Sequence, residues 1–255
     1  MSIPLTSEEK AYYARQITMK GFGEKSQTYL KNSKACITGL GGLGSPIATQ
    51  LAAMGVGYLR IIDHDTVDLT NLHRQHLYSI DSVGEPKTAV AAERLRKLNP
   101  YIEIEAINTE ISPDNAANLV KDMDIVVDAL DAMAPRYAIN KACVDLDTPF
   151  IHGGVIRQIG TATTIIPHKT PCLECFKGGI DDSRLPSNAS QGVHPSIINI
   201  IASIQTSEAI KILTRKTPSL PGRLLFFDLE DLTMEFIDII KQDKCKICGL
   251  KKERN

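Results

Sequence analysis

The sequence has no excess of either charge, no long apolar run and no recognisable leader, and each absence excludes a class of protein. Because 29 basic residues face 30 acidic ones, no global field attracts nucleic acid or an anionic membrane. Apolar runs such as 197–204 fall far short of the roughly 20 residues that cross a bilayer. The first ten residues lack a signal-peptide pattern, so we expect a cytoplasmic protein without a nucleic-acid or membrane partner.

Strand-like and helix-like patterns alternate over the first 130 residues, in a chain whose 43% hydrophobic residues suffice for a full core. The patterns predict strands at 34–40, 58–63, 102–108 and 124–130, and helices at 45–56, 86–100 and 112–122. This alternation predicts an α/β fold with a Rossmann-like, doubly wound, mostly parallel sheet. Its ligand site is expected at the carboxyl ends of the strands.

Beyond residue 150 the pattern changes. The stretches "GTATTIIP" (160–167) and "RLLFFDLEDLTMEFIDI" (223–239) alternate like antiparallel strands, and 196–213 is predicted as a long helix with an apolar face. We therefore predict one compact domain in three parts: a helical arm at 1–33, a nucleotide-binding half at 34–150 and a partner-binding half at 151–255.

A glycine-rich loop follows the first predicted strand in "ITGLGGLGSP" (37–46). Its glycines let backbone N–H groups approach a phosphate at the start of a helix. They are Gly39, Gly41, Gly42 and Gly44. Asp63 ends the second strand 19 residues after Gly44, the spacing at which a carboxylate accepts ribose hydroxyls. NAD and ATP both contain that ribose, so the loop alone leaves the cofactor open.

The charged residues downstream favour ATP with Mg²⁺. A loop and the start of the next helix place polar and cationic side chains over the same crevice, where they suit a triphosphate. The candidate ligands are Asp65, Asn71, Arg74, Gln75 and Lys87. Asp128 and Asp131 end the fourth predicted strand and offer oxygen ligands to Mg²⁺. A nicotinamide enzyme has no use for this arrangement.

Four of the six cysteines form two C-x-x-C pairs, which in a reducing compartment favour a metal over disulfides. The pairs are Cys172 with Cys175 and Cys245 with Cys248. Four thiolates complete a closed, structural zinc site, and a redox role for either pair is the alternative. Cys36 and Cys143 lie in segments patterned as core, and the scattered histidines receive no role.

Motifs along almost the whole chain resemble the ThiF/MoeB/HesA family of ubiquitin-like-protein activating enzymes. The matching stretches are "YARQI" (13–17), "GFGEKSQTYLKNSK" (21–34), "GLGGLGSP" (39–46), "DHDTVDLTNLHRQ" (63–75), "VGEPKTAVAAERLRKLNP" (83–100), "DALDAMAPRYAIN" (128–140), "PCLECF" (171–176), "IQTSEAIKIL" (204–213) and "CKIC" (245–248).

The resemblance implies ATP-dependent adenylation of the C-terminal Gly-Gly carboxylate of a small β-grasp protein, with release of pyrophosphate. By position, Gly41 and its loop approach the phosphates and Asp63 takes the ribose. Asn71, Arg74 and Lys87 neutralise the phosphates and the transition state. The resemblance further implies that Asp131 is the Mg²⁺ ligand, that the four cysteines bind zinc, and that Arg15 reaches across a homodimer into the neighbouring site.

The sequence departs from the family at two places. Many members carry a cysteine in the crossover loop, whereas 178–196 contains none; alignment on Gly192-Val193 puts Asn188 at the usual place, next to Ala189. We therefore expect activation to stop at the acyl-adenylate, with sulfur supplied by an external donor, unless Ala189 replaces a natural cysteine. Ala132 stands where the family usually has asparagine.

Three alternatives remain open from the sequence. The first is a non-catalytic dimeric scaffold that binds nucleotide and a partner. The second is a relative that adenylates a peptide or a tRNA base, and the third is an NAD-binding oxidoreductase. A scaffold would not need Arg15, Arg74, Lys87 and Asp131 together.

Overall fold

The computed structural model describes residues 3–180, 182–184 and 191–249, and one eight-stranded sheet runs through it. The sheet forms because buried aliphatic strands alternate with helices that each cover part of a face. The strands are β1 Lys34–Thr38, β2 Tyr58–Asp63, β3 Glu103–Asn108, β4 Ile125–Asp128, β5 Phe150–Ile156, β6 Ile159–Ile165, β7 Arg223–Asp228 and β8 Thr233–Asp238. Their order across the sheet is β3-β2-β1-β4-β5-β6-β7-β8.

The sheet is parallel from β3 to β5 and antiparallel from β5 to β8. The predicted mostly parallel sheet with an antiparallel extension is therefore confirmed. β5, which the sequence patterns did not single out, pairs with β4 on one side and with β6 on the other, so a single sheet continues through residue 150.

Helices pack on both faces of the sheet. They are α1 Ser7–Tyr12, α2 Ala14–Ile17, α3 Gly23–Lys31, α4 Gly44–Met54, α5 Lys87–Leu98, α6 Ala116–Val120, α7 Met133–Asp145, α8 Leu173–Lys177 and α9 Pro195–Leu213. α4, α5 and α9 share one apolar core with the sheet, and α6, α7 and α8 share a second core on the opposite face. Among the described helices, none is both long and apolar enough to cross a lipid bilayer.

Several predicted elements are shorter in the structure, and in two of them the local contacts show why. The helix expected at 112–122 is Ala116–Val120. The Asn115 side chain accepts from Ser112 N at 2.9 Å and donates to Glu110 O at 2.8 Å, and these bonds hold a turn before the helix. The strand expected at 34–40 ends at Thr38, because the following Gly39 has a φ of +92° and leaves the extended conformation.

The N-terminal arm packs against the far end of α4 from the glycine loop. The Asn99 side chain donates to the Tyr13 hydroxyl at 2.7 Å and to Ala52 O at 2.6 Å. The Tyr13 ring lies against Gly55, where a Cβ would come within 2.5 Å of it. Gly55 ends α4 in the left-handed conformation, which glycine adopts without cost.

Candidate active site

The glycine loop joins the carboxyl end of β1 to α4, and its glycines have different reasons to be glycine. A Cβ on Gly39 would lie 2.7 Å from Ala129 O, and one on Gly44 would lie 2.0 Å from Gly39 O. A Cβ on Gly42 would meet the Ile198 side chain at 3.1 Å. Gly41 faces open space, with no atom closer than 3.8 Å to its Cβ position, so a phosphate has room to reach the backbone there.

Asp63 is held rigidly at the end of β2. One of its carboxylate oxygens accepts from Leu40 N at 2.6 Å, and the other accepts from Asp65 N at 2.8 Å. Each oxygen has a second lone pair for a ligand hydroxyl. The bond to Leu40 fixes the carboxylate beside the glycine loop, as its predicted ribose-binding role requires.

Lys87 and Asp65 form an ion pair at the same edge of the sheet. The Lys87 Nζ lies 2.7 Å from Asp65 Oδ2, and the lysine side chain is 6% exposed while that of Asp65 is 52% exposed. A bond of 3.0 Å from Lys87 N to Asp65 O fixes the start of α5 beside this loop. The structure thus brings together two predicted site residues that are 22 positions apart.

The loop after β2 docks onto the glycine loop. The Tyr78 hydroxyl donates to Leu40 O at 2.9 Å, and Leu77 N donates to Ser45 Oγ at 2.8 Å. This docking buries Gln75, whose Oε1 has no hydrogen-bond partner among the described residues. Burying an amide oxygen without a hydrogen-bond donor lowers the stability of the fold. The other polar atom of this side chain, Gln75 Nε2, is the atom nearest to the Gly41 Cβ position.

Asn71 and Arg74 lie on the same loop and are half-buried. Asn71 ends a short 3-10 helix, Leu69–Asn71, and its Oδ1 accepts from Asp68 N at 3.3 Å. The Arg74 guanidinium donates to Thr70 O at 2.7 Å. These bonds keep both side chains on the loop that covers the crevice.

Asp128 is not available as the magnesium ligand that the sequence suggested. It is fully buried, and its Oδ2 lies 2.6 Å from His152 Nδ1 and 3.2 Å from Arg136 Nε. Its Oδ1 accepts from Leu130 N at 2.9 Å. Asp128 still belongs to β4, so its side chain points into the core face that α7 covers. Asp131 lies exposed in the turn that follows.

Burial and charge shift the pKa values of this cluster. Burial alone would raise the pKa of Asp128, but the Arg136 charge and the His152 hydrogen bond outweigh it and hold that pKa below its usual value. Burial, with repulsion from Lys177, lowers the pKa of His152 to about 4. His152 is therefore neutral near pH 7, and its Nδ1 proton is donated to Asp128.

Sequence patterns missed His152, Arg136 and Lys177. Their only sequence signal is that charged or titratable residues stand in or next to segments that read as buried. The Arg136 guanidinium also donates to the backbone oxygens of Leu130 and Gly153, the latter at 3.2 Å. Burial, with repulsion from Arg136, lowers the pKa of Lys177 to about 8, and attraction to Asp128 offsets only part of that shift.

Ala132 is the N-cap residue of α7 and lacks a side-chain acceptor for the helix. The Oδ1 of Asp182 accepts from Met133 N, the first N–H of that helix, at 2.7 Å. Asn188 and Ala189 of the crossover loop lie outside the described residues.

Arg15 lies apart from the other predicted site residues of its own chain. It is exposed on α2, whose next residue, Gln16, donates to Met54 O at 2.9 Å. Met54 ends α4, and the glycine loop begins that helix. At 1.5 Å per residue, α4 separates the two places by about 15 Å, which is beyond the reach of an arginine side chain.

The four paired cysteines converge on one point beneath α8. Their sulfurs lie within 4.8 Å of one another, with 4.0 Å between Cys172 and Cys175, 3.7 Å between Cys172 and Cys245, and 3.4 Å between Cys175 and Cys248. A tetrahedral zinc with Zn–S bonds of about 2.3 Å requires sulfurs about 3.8 Å apart. The cluster fits zinc, and all four thiols are free of disulfides. Cys36 and Cys143 are buried core residues, as predicted.

Comparison with known proteins identifies the family. The profile of the ThiF family matches residues 13–248. The chain belongs to the ThiF family. Over 98% of its length it is 36% identical to the SAMP-activating enzyme E1 of Haloferax volcanii, of which it covers 92%. Over 96% of its length it is 34% identical to the sulfur carrier protein adenylyltransferase of Thermus thermophilus, of which it also covers 92%.

A solved structure has the same fold. The crystal structure of Escherichia coli MccB with ATP superposes with a TM-score of 0.82 at 27% identity, over 94% of this chain and 75% of that chain. The family membership predicted from the motifs is confirmed, and the relatives are named as adenylyltransferases or activating enzymes, as predicted for this one.

Proposed function

We propose that this ThiF-family adenylyltransferase activates the C-terminal Gly-Gly carboxylate of a small β-grasp sulfur carrier or modifier protein. The observation that carries the proposal is the convergence of Gly41, Asp63 and Lys87 at the carboxyl ends of β1 and β2. There an open backbone, a ribose acceptor and a buried cation surround one crevice. The names of the most similar relatives support the substrate class.

In the proposed reaction, a carboxylate oxygen of the tail attacks the α-phosphorus of ATP, and the bond from that phosphorus to the β-phosphate oxygen breaks. Pyrophosphate leaves, and the tail becomes an acyl-adenylate. This transfer needs positioning and charge stabilisation more than covalent help. The phosphates are bound by Asn71, Arg74, Gln75 and Lys87. Asp63 orients the ribose, and Asp65 orients Lys87.

The same proposal assigns the two metals. Asp131, exposed in the turn after β4, would hold Mg²⁺ that neutralises the phosphate charge. The four cysteines would hold a structural zinc, because a closed set of four thiolates leaves no open coordination position. Zinc would fasten the chain after β8 to the start of α8.

We also propose a homodimer in which Arg15 serves the neighbouring site. Its place at the far end of α4 prevents it from reaching its own glycine loop. A two-fold pairing that brings α2 of one protomer to the crevice of its partner would supply the cation from outside.

The edge of the sheet formed by β8 carries exposed apolar side chains. All six residues of β8 are exposed at the edge of the sheet, and Met234, Phe236 and Ile237 are each about half exposed. Large exposed apolar side chains on an edge strand are typical of an interface. We propose that the body of the β-grasp partner packs there, with its tail directed to the crevice.

Pyrophosphate exchange with ATP tests the proposal. Purified protein is assayed with a β-grasp carrier ending in Gly-Gly, with the same carrier lacking both glycines, and with a peptide of the carrier tail alone. We expect exchange with the intact carrier only. Exchange with the peptide alone would favour peptide adenylation, and no exchange with any of the three would contradict the proposed function. ATP binding without exchange would favour the scaffold.

A further inference from the structure

The turn between β5 and β6 consists of Arg157 and Gln158, and its first residue has a backbone conformation that favours glycine. Ile156 on β5 pairs with Ile159 on β6, so only two residues form the loop. Arg157 has a φ of +53°. In a two-residue hairpin loop glycine is preferred where φ is positive, because a side chain there is strained. Other residues held in such conformations cluster at functional sites.

Arg157 holds residues 191–194, the described end of the crossover loop, which we call the crossover end. Its N donates to Gly192 O at 3.0 Å, and its O accepts from His194 N at 2.8 Å. These two bonds form an isolated parallel bridge. The Arg157 guanidinium also donates to Gln191 Oε1. Both the backbone and the side chain of one residue therefore fix the crossover end.

The crossover end lies close to the glycine loop. Its last residue, His194, is the N-cap of α9, and Ile198 in the first turn of that helix packs against Gly42, where a Cβ would lie 3.1 Å from the isoleucine. The glycine loop has bonds of its own, through Leu40, to Asp63 and Tyr78. The crossover end thus borders the crevice, while other contacts fix the shape of the glycine loop.

On its other side, the same turn is joined to the turn between β7 and β8. Leu229 N donates to Gln158 O at 2.9 Å, and Gln158 Nε2 donates to Glu230 Oε2 at 3.3 Å. Since β1, β4, β5 and β7 end at one edge of the sheet, the β5–β6 turn lies between the glycine loop and the β7–β8 turn along that edge. A chain that follows this edge from β8 to the crevice passes Arg157.

We propose that Arg157 is a positioning residue for the protein substrate: it holds the crossover end as one wall of the path along which the C-terminal tail reaches ATP. This inference rests on the proposed function and adds a residue to it. Arg157 acts through the crossover end and not by contact with the reacting atoms. A displacement of about 1 Å at the reacting atoms can lower a rate by about 10²-fold, so a firmly held wall favours the reaction.

The test compares Arg157→Gly with Arg215→Gly in carrier-dependent pyrophosphate exchange. Arg215 provides the matched control, because it is an exposed arginine with a φ of +61° just beyond the far end of α9. Arg157→Gly should lower kcat/KM for the carrier about tenfold or more, whereas Kd for ATP, measured by calorimetry without carrier, should change by less than about twofold. Arg157→Lys keeps a cationic donor and should recover part of the loss. Arg215→Gly should behave as wild type.

A double-mutant cycle tests the contact between the two side chains. Gln191→Ala should also lower kcat/KM for the carrier, and its addition to Arg157→Gly should cause no further loss, because both changes remove the same contact. Gln191→Glu retains an acceptor oxygen and should keep wild-type activity. Additive losses from the two changes would overturn the proposed role of the guanidinium.

Thermal unfolding distinguishes a positioning role from a structural one. Relief of the strained φ offsets the greater freedom of glycine in the unfolded chain, so Arg157→Gly should leave Tm within about 2 °C of wild type. A clearly lower Tm together with lost activity would assign Arg157 to the stability of the fold and overturn the proposal. Arg157→Asn is the second neutral variant, because asparagine also tolerates a positive φ.

The outcomes separate the two proposals. Wild-type protein without exchange would overturn the proposed function itself. Wild-type exchange with equal kcat/KM in Arg157→Gly and Arg215→Gly would overturn this inference alone, and so would a weakening of ATP binding as large as the loss for the carrier. Amide hydrogen exchange over 191–196 measures the hold on the crossover end without any reaction. It should be faster in Arg157→Gly, and equal exchange in wild type and variant would also overturn the inference.

Discussion

At the scale of single residues, Lys87 combines burial with one exposed acidic partner. Its side chain is 6% exposed and its Nζ lies 2.7 Å from Asp65 Oδ2. A cation held in this way is already positioned before ATP binds, and such preorganised charge contributes most where negative charge develops during a reaction. The ion pair therefore positions a cation for the proposed reaction and also contributes a contact within the fold.

We expect Lys87→Met to lower adenylation by about 10²-fold, as the loss of one preorganised charge typically does. Arg74→Ala should have a similar effect. The measurement is kcat in carrier-dependent pyrophosphate release. Lys97→Met is the control, because Lys97 lies on the same helix with a side chain that is 74% exposed. Equal losses for Lys87→Met and Lys97→Met would contradict the assignment.

His152 gives the protein a defined dependence of stability on pH. Its folded pKa is about 4, below the unfolded value of about 6.5, so the unfolded chain binds the extra proton between these values. The stability that neutral His152 contributes is full above pH 6.5 and falls by about 3 kcal/mol as pH falls to 4.

Urea unfolding of wild type and His152→Gln between pH 4 and 7 measures this effect. Glutamine retains a donor for Asp128 but does not titrate, so its free energy of unfolding should vary less across the range. The loss of zinc by acid affects both proteins and cancels in the difference. Parallel curves for the two proteins would show that His152 does not carry the dependence.

At the scale of elements, the cysteine cluster connects the chain after β8 to the start of α8. Polar contacts also hold the described part of that tail: Lys246 pairs with Glu174 at 2.9 Å, Lys241 donates to His168 O at 2.7 Å, and the Gln242 side chain donates to Cys175 O. Burial raises the pKa of the Cys172 thiol and that of the Cys175 thiol. A bound metal would convert the cluster into a firm crosslink.

We expect one zinc per chain by elemental analysis. Cys245→Ser should remove it and lower the free energy of unfolding by about 3 kcal/mol, or about 10 °C in Tm for a domain of this size. Cys143→Ala is the control, because Cys143 is buried but is not one of the four converging thiols, so its loss should leave zinc content unchanged. Zinc-free wild-type protein with full stability would refute the structural role.

The crossover segment is the second element with a testable consequence. A covalent thioester needs an accessible, activated thiolate, and 178–196 contains no cysteine. Burial raises the pKa of Cys36 to about 12 and that of Cys143 well above its usual value. Neither buried thiol is a suitable nucleophile.

Incubation with carrier and ATP should therefore give pyrophosphate and a complex that dissociates on denaturing gels without reductant. Ala189→Cys and Asn188→Cys place a thiol at the expected position of the loop and serve as positive controls. A reductant-sensitive band at the summed mass in the unaltered protein, mapped to Cys36 or Cys143, would overturn the prediction.

At the scale of the whole molecule, the question is whether one protomer contains a complete site. Asp63, Asp65, Lys87 and the glycine loop are assembled within one chain, whereas Arg15 lies beyond α4. If Arg15 takes part, the site is complete only in a dimer.

Mixing inactive Arg15→Ala protein with inactive Asp131→Ala protein tests this arrangement. Random exchange makes half of the dimers mixed, and each mixed dimer regains one intact site, so we expect about a quarter of wild-type activity. Subunit exchange is confirmed by native mass spectrometry. No recovery after exchange would mean that Arg15 acts in its own chain or not at all. The control is a double variant that carries both Arg15→Ala and Asp131→Ala. Mixtures of this double variant with either single variant should stay inactive.

The sequence by itself determined most of the sheet, the glycine loop and several charged residues that the structure places beside that loop. Gly39–Gly44, Asp63 and Lys87 were predictable because strands and helices alternate locally, and because parallel strands bring their carboxyl ends to one edge. The cysteine cluster was predictable because each C-x-x-C pair is a local unit. These inferences need only spacing along the chain.

Tertiary structure alone decided which charges became paired in the interior. Asp128 was expected to bind metal, but β4 extends through it, and its side chain meets Arg136 and His152 beneath α7. Asp128 on β4 and His152 on β5 are in contact although they are 24 positions apart in the sequence. Lys177 belongs to another element, α8. No local pattern encodes such contacts, because burial and electrostatic balance depend on all the elements that pack around a group.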